Sequence, residues 1–187
     1  MTIACPACGK KSEDVRECPR CGLRYRLETG DDVRICIRSS RALLDLLKLI
    51  AFQVGSEVSL NELATQVKLD VKTVGRHLDI LEKAFVIVRL GGFSRNLRNE
   101  VTSKAKYYFL DNGIRNAIIG QYNLLDSRND IGALWENFIV AERLKKRSYA
   151  GIYGNIYFWR TYDGQEVDYV EESDGGLFGF GKVSKRP

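Results

Sequence analysis

Apolar positions between residues 59 and 90, SLNELATQVKLDVKTVGRHLDILEKAFVIVRL, follow a helical period twice and then a strand period. Ser59 with Glu62 three residues on forms a capping box, which predicts a short helix carrying Leu60, Leu63, Ala64 and Val67 on one side. Asp70 caps a second helix, in which Val71, Val74, Leu78, Leu81 and Phe85 make one apolar stripe. The β-branched run Val86-Ile87-Val88 and the pair Gly91-Gly92 then predict a strand and a turn. Helix, turn, helix, strand and wing in this order are the winged-helix pattern. Upstream, Ser39 or Ser40 caps a helix running to Gly55. Its Leu43, Leu44, Leu46, Leu47, Ile50, Ala51 and Val54 cover much of the circumference, which predicts a buried first helix.

The polar face of the second helix adds chemistry. A recognition helix presents its N-terminal residues to base edges, while cations on it and on the wing meet phosphates. Lys72, Thr73 and Arg76 stand where such contacts are made, and the wing adds Arg95 and Arg98. Residues 70–106 hold eight Lys/Arg against four Asp/Glu, a local excess that favours double-stranded DNA as partner. The plainer alternative is a packing module with a solvated basic face, in which Asp79 and Lys83 pair at i, i+4. His77, the only histidine, lies on the flank of the stripe and reads as a packing residue.

Of the five cysteines, four explain themselves by spacing. Cys5-Pro6-Ala7-Cys8-Gly9 and Cys18-Pro19-Arg20-Cys21-Gly22 are two copies of one knuckle, and two such turns complete a tetrahedral thiolate site. Zinc is the expected metal, with iron bound rubredoxin-fashion as the alternative. Four thiolates and one zinc ion sum to −2, which takes the formal charge from +5 to about +3. Residues 1–29 thus read as a zinc ribbon suited to attachment or self-association, and Gly30-Asp31-Asp32 as a linker. Cys36 reads as a buried apolar residue. With no secretory signal and no apolar run of membrane length, the chain is expected to be cytoplasmic, without membrane contact.

Beyond the wing, Ser94-Arg95-Asn96-Leu97, residues 106–113 (KYYFLDNG), Trp135-Glu136-Asn137-Phe138, and Phe158-Trp159-Arg160-Thr161 through Glu166-Val167-Asp168 occur in sequence. With the helix-turn-helix, these motifs resemble the C-terminal half of prokaryotic AAA-family ATPases that end in a domain of unknown function. The resemblance covers roughly residues 33–182. It implies a winged helix at 33–110 followed, at 111–187, by a domain like the PD-(D/E)xK nucleases. The chain departs from that plan in having a zinc ribbon where the ATPase stands. Residues 176–182 spell GxxxxGK, but Val183 follows where a P-loop needs Ser or Thr and a helix, so no ATP binding is expected.

Nucleases of this type place an acid from a helix, an acid on a strand and a Glu-x-Lys on the next strand around one magnesium ion. By resemblance Glu136, Asp168 and Lys182 match three of these positions. The acid two residues before Lys182 is replaced by Phe180, and Glu166, on the same strand face as Asp168, substitutes only in part. The expectation is therefore a degenerate, truncated nuclease-like unit with an edge strand left uncovered. Pairing of Glu136, Glu166 and Asp168 with Arg160 or Arg143 is the structural alternative. The aromatics Tyr107, Tyr108, Phe109, Tyr157, Phe158 and Trp159 lie in strand runs and read as core.

The whole is an α+β chain of zinc ribbon, winged helix and truncated nuclease-like α/β unit, expected to bind DNA without hydrolysing nucleotide. A magnesium-dependent nuclease and a docking module for a separate ATPase are the alternatives.

Overall fold

The computed structural model describes residues 2–4, 11–13, 24–27, 33–36, 40–93, 104–161, 165–173, 175–180 and 184–185, with side chains at 41–180 of these. Cys5, Cys8, Cys18, Cys21, Arg95, Arg98 and Lys182 lie outside the described residues, as does the side chain of Cys36. Near the N-terminus β1 (Thr2–Ala4) pairs antiparallel with β2 (Lys11–Glu13), and β3 (Arg24–Leu27) with β4 (Val33–Cys36) across the expected linker.

Helix α1 (Ser40–Phe52) buries Leu46, Ile50 and Ala51, while Leu44 and Phe52 are exposed, so its apolar cover is one-sided. β5 (Glu57–Val58) precedes α2 (Leu60–Val67), which starts where the Ser59 hydroxyl oxygen accepts the Glu62 N–H at 3.2 Å. Lys68, in the left-handed region at φ 55°, ends it. In α3 (Val71–Lys83) the Asp70 carboxylate accepts the Thr73 N–H at 2.9 Å, the side-chain cap its position predicts.

The stripe of α3 holds in the middle and fails at its ends. Val74, Leu78 and Leu81 are buried, whereas Val71 is 38 % exposed and Phe85 77 %. The helix stops at Lys83, and Phe85 takes φ 56°, so the next helical position is never reached and the ring points outward. His77 joins the buried stripe instead.

β6 (Ile87–Gly92) and β7 (Ala105–Phe109) pair antiparallel, with β5 on the far edge of β7. Asp111 caps α4 (Asn112–Ile119) by accepting the Ile114 N–H at 3.0 Å, and α5 (Ile131–Tyr149) follows. β8 (Ile156–Arg160), β9 (Gln165–Ser173) and β10 (Gly176–Phe180) form an antiparallel meander, and short β11 (Ser184–Lys185) also pairs with β9.

β8 adds in parallel to the free edge of β6, Gly91 opposite Tyr157 and Gly92 opposite Phe158. One seven-stranded mixed sheet, in the order β10-β9-β8-β6-β7-β5 with β11 also on β9, therefore runs unbroken from the three-helix region to the C-terminal strands. The core is likewise continuous. Leu46, Ile50, Leu63, Val74, Ile87 and Tyr108 share one buried apolar cluster with Val140, Phe158 and Tyr169. The class is mixed α+β, with five α-helices among the described residues. No described helix is long and apolar enough to cross a membrane.

Candidate functional site

Two sites follow from this frame, one on the surface of α3 and one beneath α5. On α3, Lys72 and Arg76 are exposed one turn apart, and neither makes an ion pair with a described residue. The half-buried Thr73 hydroxyl donates to the Asp70 carboxylate and serves the cap. That hydrogen bond, the Thr73 N–H and the charge of Arg76 hold the Asp70 carboxyl below its ordinary value. Further along, Lys83 and Asp79 pair at 2.7 Å at the i, i+4 spacing. His77 is buried behind this face with no hydrogen-bond partner on Nδ1 among the described residues, and burial lowers its pKa.

A groove of about 990 Å³ opens beside α3, floored by Leu78, Ala105 and Tyr107 and edged by Asp79, Glu82 and Arg89. Its strand residues alternate with Leu90, Lys106 and Tyr108, so it lies on the opposite sheet face from the second site.

The second site is built by three elements. Strand alternation puts Lys106 and Tyr108 of β7 on one face, and Glu166 and Asp168 of β9 on the same face of the shared sheet. Helix α5 crosses that face and lowers Glu136 onto it. Lys106 Nζ pairs with Glu166 Oε1, lies 3.0 Å from Asp168 Oδ1 and 3.7 Å from Glu136 Oε1. The Tyr108 hydroxyl donates to the same Glu136 oxygen at 2.7 Å, and the Phe158 ring flanks the ammonium with its centroid 5.5 Å away. Lys106 is 1 % exposed and Glu166 3 %.

Burial opposes the lysine's charge, but hydrogen bonding to Glu166 and the charges of Glu136 and Asp168 outweigh it and hold Lys106 above its ordinary value. Burial raises the Glu136 carboxyl, against the help of Tyr108 and Lys106. Burial also pushes the Tyr108 phenol far up, reinforced by the neighbouring carboxylates.

The expected grouping of Glu136, Glu166 and Asp168 is thus present, and their partner is a residue the sequence did not single out. Of the expected arginine partners, Arg160 pairs with Glu57 at 2.5 Å while also lying within reach of the Glu166 charge, and Arg143 pairs with Glu171, which Arg147 also meets at 3.0 Å. Phe180, where the nuclease pattern needs an acid, packs against Tyr169 and beneath the Arg143 guanidinium, 4.2 Å from its ring centroid.

A second neighbour missed at sequence level is Asn137. Its side-chain amide behaves as a strand partner for Phe109: Oδ1 accepts the Phe109 N–H at 2.7 Å, while Nδ2 donates to the Phe109 carbonyl at 2.9 Å and to Asn112 Oδ1 at 2.8 Å. Adjacent residues Glu136 and Asn137 therefore bind side chain and backbone of the same strand. The signal for Lys106 was a lone charge inside the apolar run Ala105–Phe109.

A magnesium ion takes oxygens at about 2.0–2.1 Å in octahedral array. Here the point on which the carboxylates converge is filled by Lys106 Nζ, so the residues as arranged do not fit the ion. Among the described residues no group of three or more His, Cys, Asp and Glu side chains is arranged to hold a metal.

Comparison with known proteins divides the chain at this site. Residues 33–124 match the family model of a domain of unknown function, DUF8612, and residues 131–181 match a second, DUF4143. Uncharacterized proteins of Mycobacterium tuberculosis and Mycobacterium bovis are each 30 % identical over 135 residues, 71 % of this chain and 30 % of theirs. An uncharacterized protein of Haemophilus influenzae is 25 % identical over 142 residues, 73 % of this chain and 32 % of its own. The chain thus spans about a third of the length of these curated relatives. No solved structure gives a significant match. Lys106 falls in the first matched segment and all three carboxylates in the second, so the cluster joins the two.

Proposed function

We propose that the chain binds double-stranded DNA through α3, which acts as the recognition helix of a winged-helix unit formed by α1, α2, α3, β5, β6 and β7. The observation that carries this reading is the exposed pair Lys72 and Arg76 on a capped helix, one turn apart and in no direct ion pair with a described residue. Arg95 and Arg98 belong to the proposed wing by sequence. The DUF4143 match supports kinship with AAA-ATPase-associated proteins, in which this region would serve as the DNA-contacting or ATPase-docking part. The paired knuckles Cys5/Cys8 and Cys18/Cys21 are proposed to hold zinc on their spacing alone. Metal analysis of purified protein showing less than one zinc or iron per chain would remove that assignment.

The test is fluorescence anisotropy of labelled duplex DNA against the zinc-loaded protein at several salt concentrations, with Arg76→Ala alongside. Affinity should fall steeply with salt, and the variant should bind more weakly with its log–log salt slope reduced by about one. Equal binding by wild type and variant would reject α3 as the contact. Absence of binding with retained capture of a purified ATPase partner would favour docking.

A second reading, a magnesium-dependent nuclease, rests on the convergence of Glu136, Glu166 and Asp168. It requires Lys106 to withdraw from between them. Magnesium-dependent nicking of plasmid DNA that Asp168→Ala abolishes would select it.

A further inference from the structure

We propose that Lys106 stands in for a divalent cation, so that the cluster with Glu136, Glu166 and Asp168 is a metal-independent clasp between the two matched segments of the chain. This goes beyond the DNA reading and does not depend on it.

Three carboxylates brought to one point in a poorly solvated site repel one another unless a cation lies between them. A metal centre supplies that cation from solution. In this fold it arrives on β7: Lys106 reaches all three carboxylates while itself almost wholly buried, with the Phe158 ring centroid 5.5 Å from its Nζ.

The surroundings hold that arrangement. The Tyr108 hydroxyl donates to Glu136 Oε1 and fixes the orientation of the carboxylate that comes from the helix. Gly55 leaves room for the same oxygen, since a Cβ at this position would lie 2.6 Å from Glu136 Oε1. Charge arithmetic completes the case. With all groups ionised the four side chains sum to −2, and loss of the ammonium makes −3 around a vacated point, the donor set that hard divalent cations take. Truncating Lys106 should therefore convert the clasp into a cation site.

The experiment is Mn²⁺ binding to the zinc-loaded 187-residue chain, read by electron paramagnetic resonance and by thermal shift, for wild type, Lys106→Ala, Lys106→Met and Asp168→Asn. Wild type should bind no Mn²⁺ that Asp168→Asn removes. Lys106→Ala should bind one ion with a dissociation constant below about 1 mM, as carboxylate sites of modest charge do. Its melting temperature should rise with Mn²⁺ while that of wild type does not move. Adding Asp168→Asn to Lys106→Ala should abolish the binding. Mn²⁺ bound by wild type and lost in Asp168→Asn would overturn the proposal, because the carboxylates would then hold metal despite the lysine. A folded Lys106→Ala that binds none would also overturn it. If neither Lys106 variant folds, the wild-type titration decides: Mn²⁺ binding sensitive to Asp168→Asn refutes the clasp, and its absence supports it. DNA affinity, measured separately, reports on α3 and leaves this outcome unaffected.

Discussion

Replacing Asn137 should test the way α5 is attached to the sheet more sharply than any apolar truncation. Its amide is fully buried and makes three hydrogen bonds, two of them to the backbone of Phe109, whose ring is also fully buried. In Asn137→Ala the Phe109 N–H and carbonyl lose these partners, and each unsatisfied buried group costs about 1–3 kcal/mol. The expected loss is about 3–5 kcal/mol, a large part of the 5–15 kcal/mol typical of a folded domain. Asn137→Asp keeps the shape and the acceptor for the Phe109 N–H. It sets an oxygen against the Phe109 carbonyl and Asn112 Oδ1, where Nδ2 stood at 2.9 and 2.8 Å. At neutral pH it should therefore cost at least as much as the alanine. Urea unfolding followed by far-UV circular dichroism measures both. With a slope of about 2 kcal/mol/M, a loss of 4 kcal/mol lowers the midpoint by about 2 M. An Asn137→Asp protein within about 0.5 kcal/mol of wild type would refute the reasoning, since shape alone would then suffice.

Acid should destabilise the protein through Asp130 and Glu171. Hydrogen bonding to Arg128, with Arg115 close by, holds Asp130 below its ordinary 3.8, and Arg143 with Arg147 holds Glu171 below 4.5. Both carboxyls are depressed in the fold, so their contribution is complete above those ordinary values and is lost as pH falls through the lower folded ones. Lys106 is raised in the fold, so its contribution is complete below 10.5 and is lost only at more alkaline pH. Thermal melts across pH 2–8 should show the acid loss, and Glu171→Gln should flatten part of it. Gly154 sits at φ +140°, and a Cβ there would lie 1.8 Å from the Glu172 carbonyl oxygen. Gly154→Ala should thus cost more than about 2 kcal/mol by the same urea assay, and an unchanged midpoint would refute the close approach.

The sequence by itself determined the local elements and their faces. Ser59 and Asp70 start helices because their side chains satisfy N–H groups a few residues away, a relation contained within one turn. Period two placed Glu166 and Asp168 together, and period 3.6 buried Val74, Leu78 and Leu81. The stripe was misread at Val71 and Phe85, and the cause was local too: Val71 opens the helix, and left-handed Phe85 lies just past its end.

Only the tertiary structure decided what those faces meet. Periodicity names the side that is buried and says nothing about which strand lies alongside, so the parallel pairing of β6 with β8 was not legible. That pairing carries Lys106 to Asp168, 62 residues away, and makes a lysine inside an apolar strand the centre of the cluster. The packing of α5 on β7 gave Asn137 its role, since an amide reads as neutral surface or core until a buried backbone N–H and carbonyl lie opposite it. The physical reason is common to both. A buried polar group is stable only where its partner is delivered, and here delivery depends on how sheet and helix close over one another.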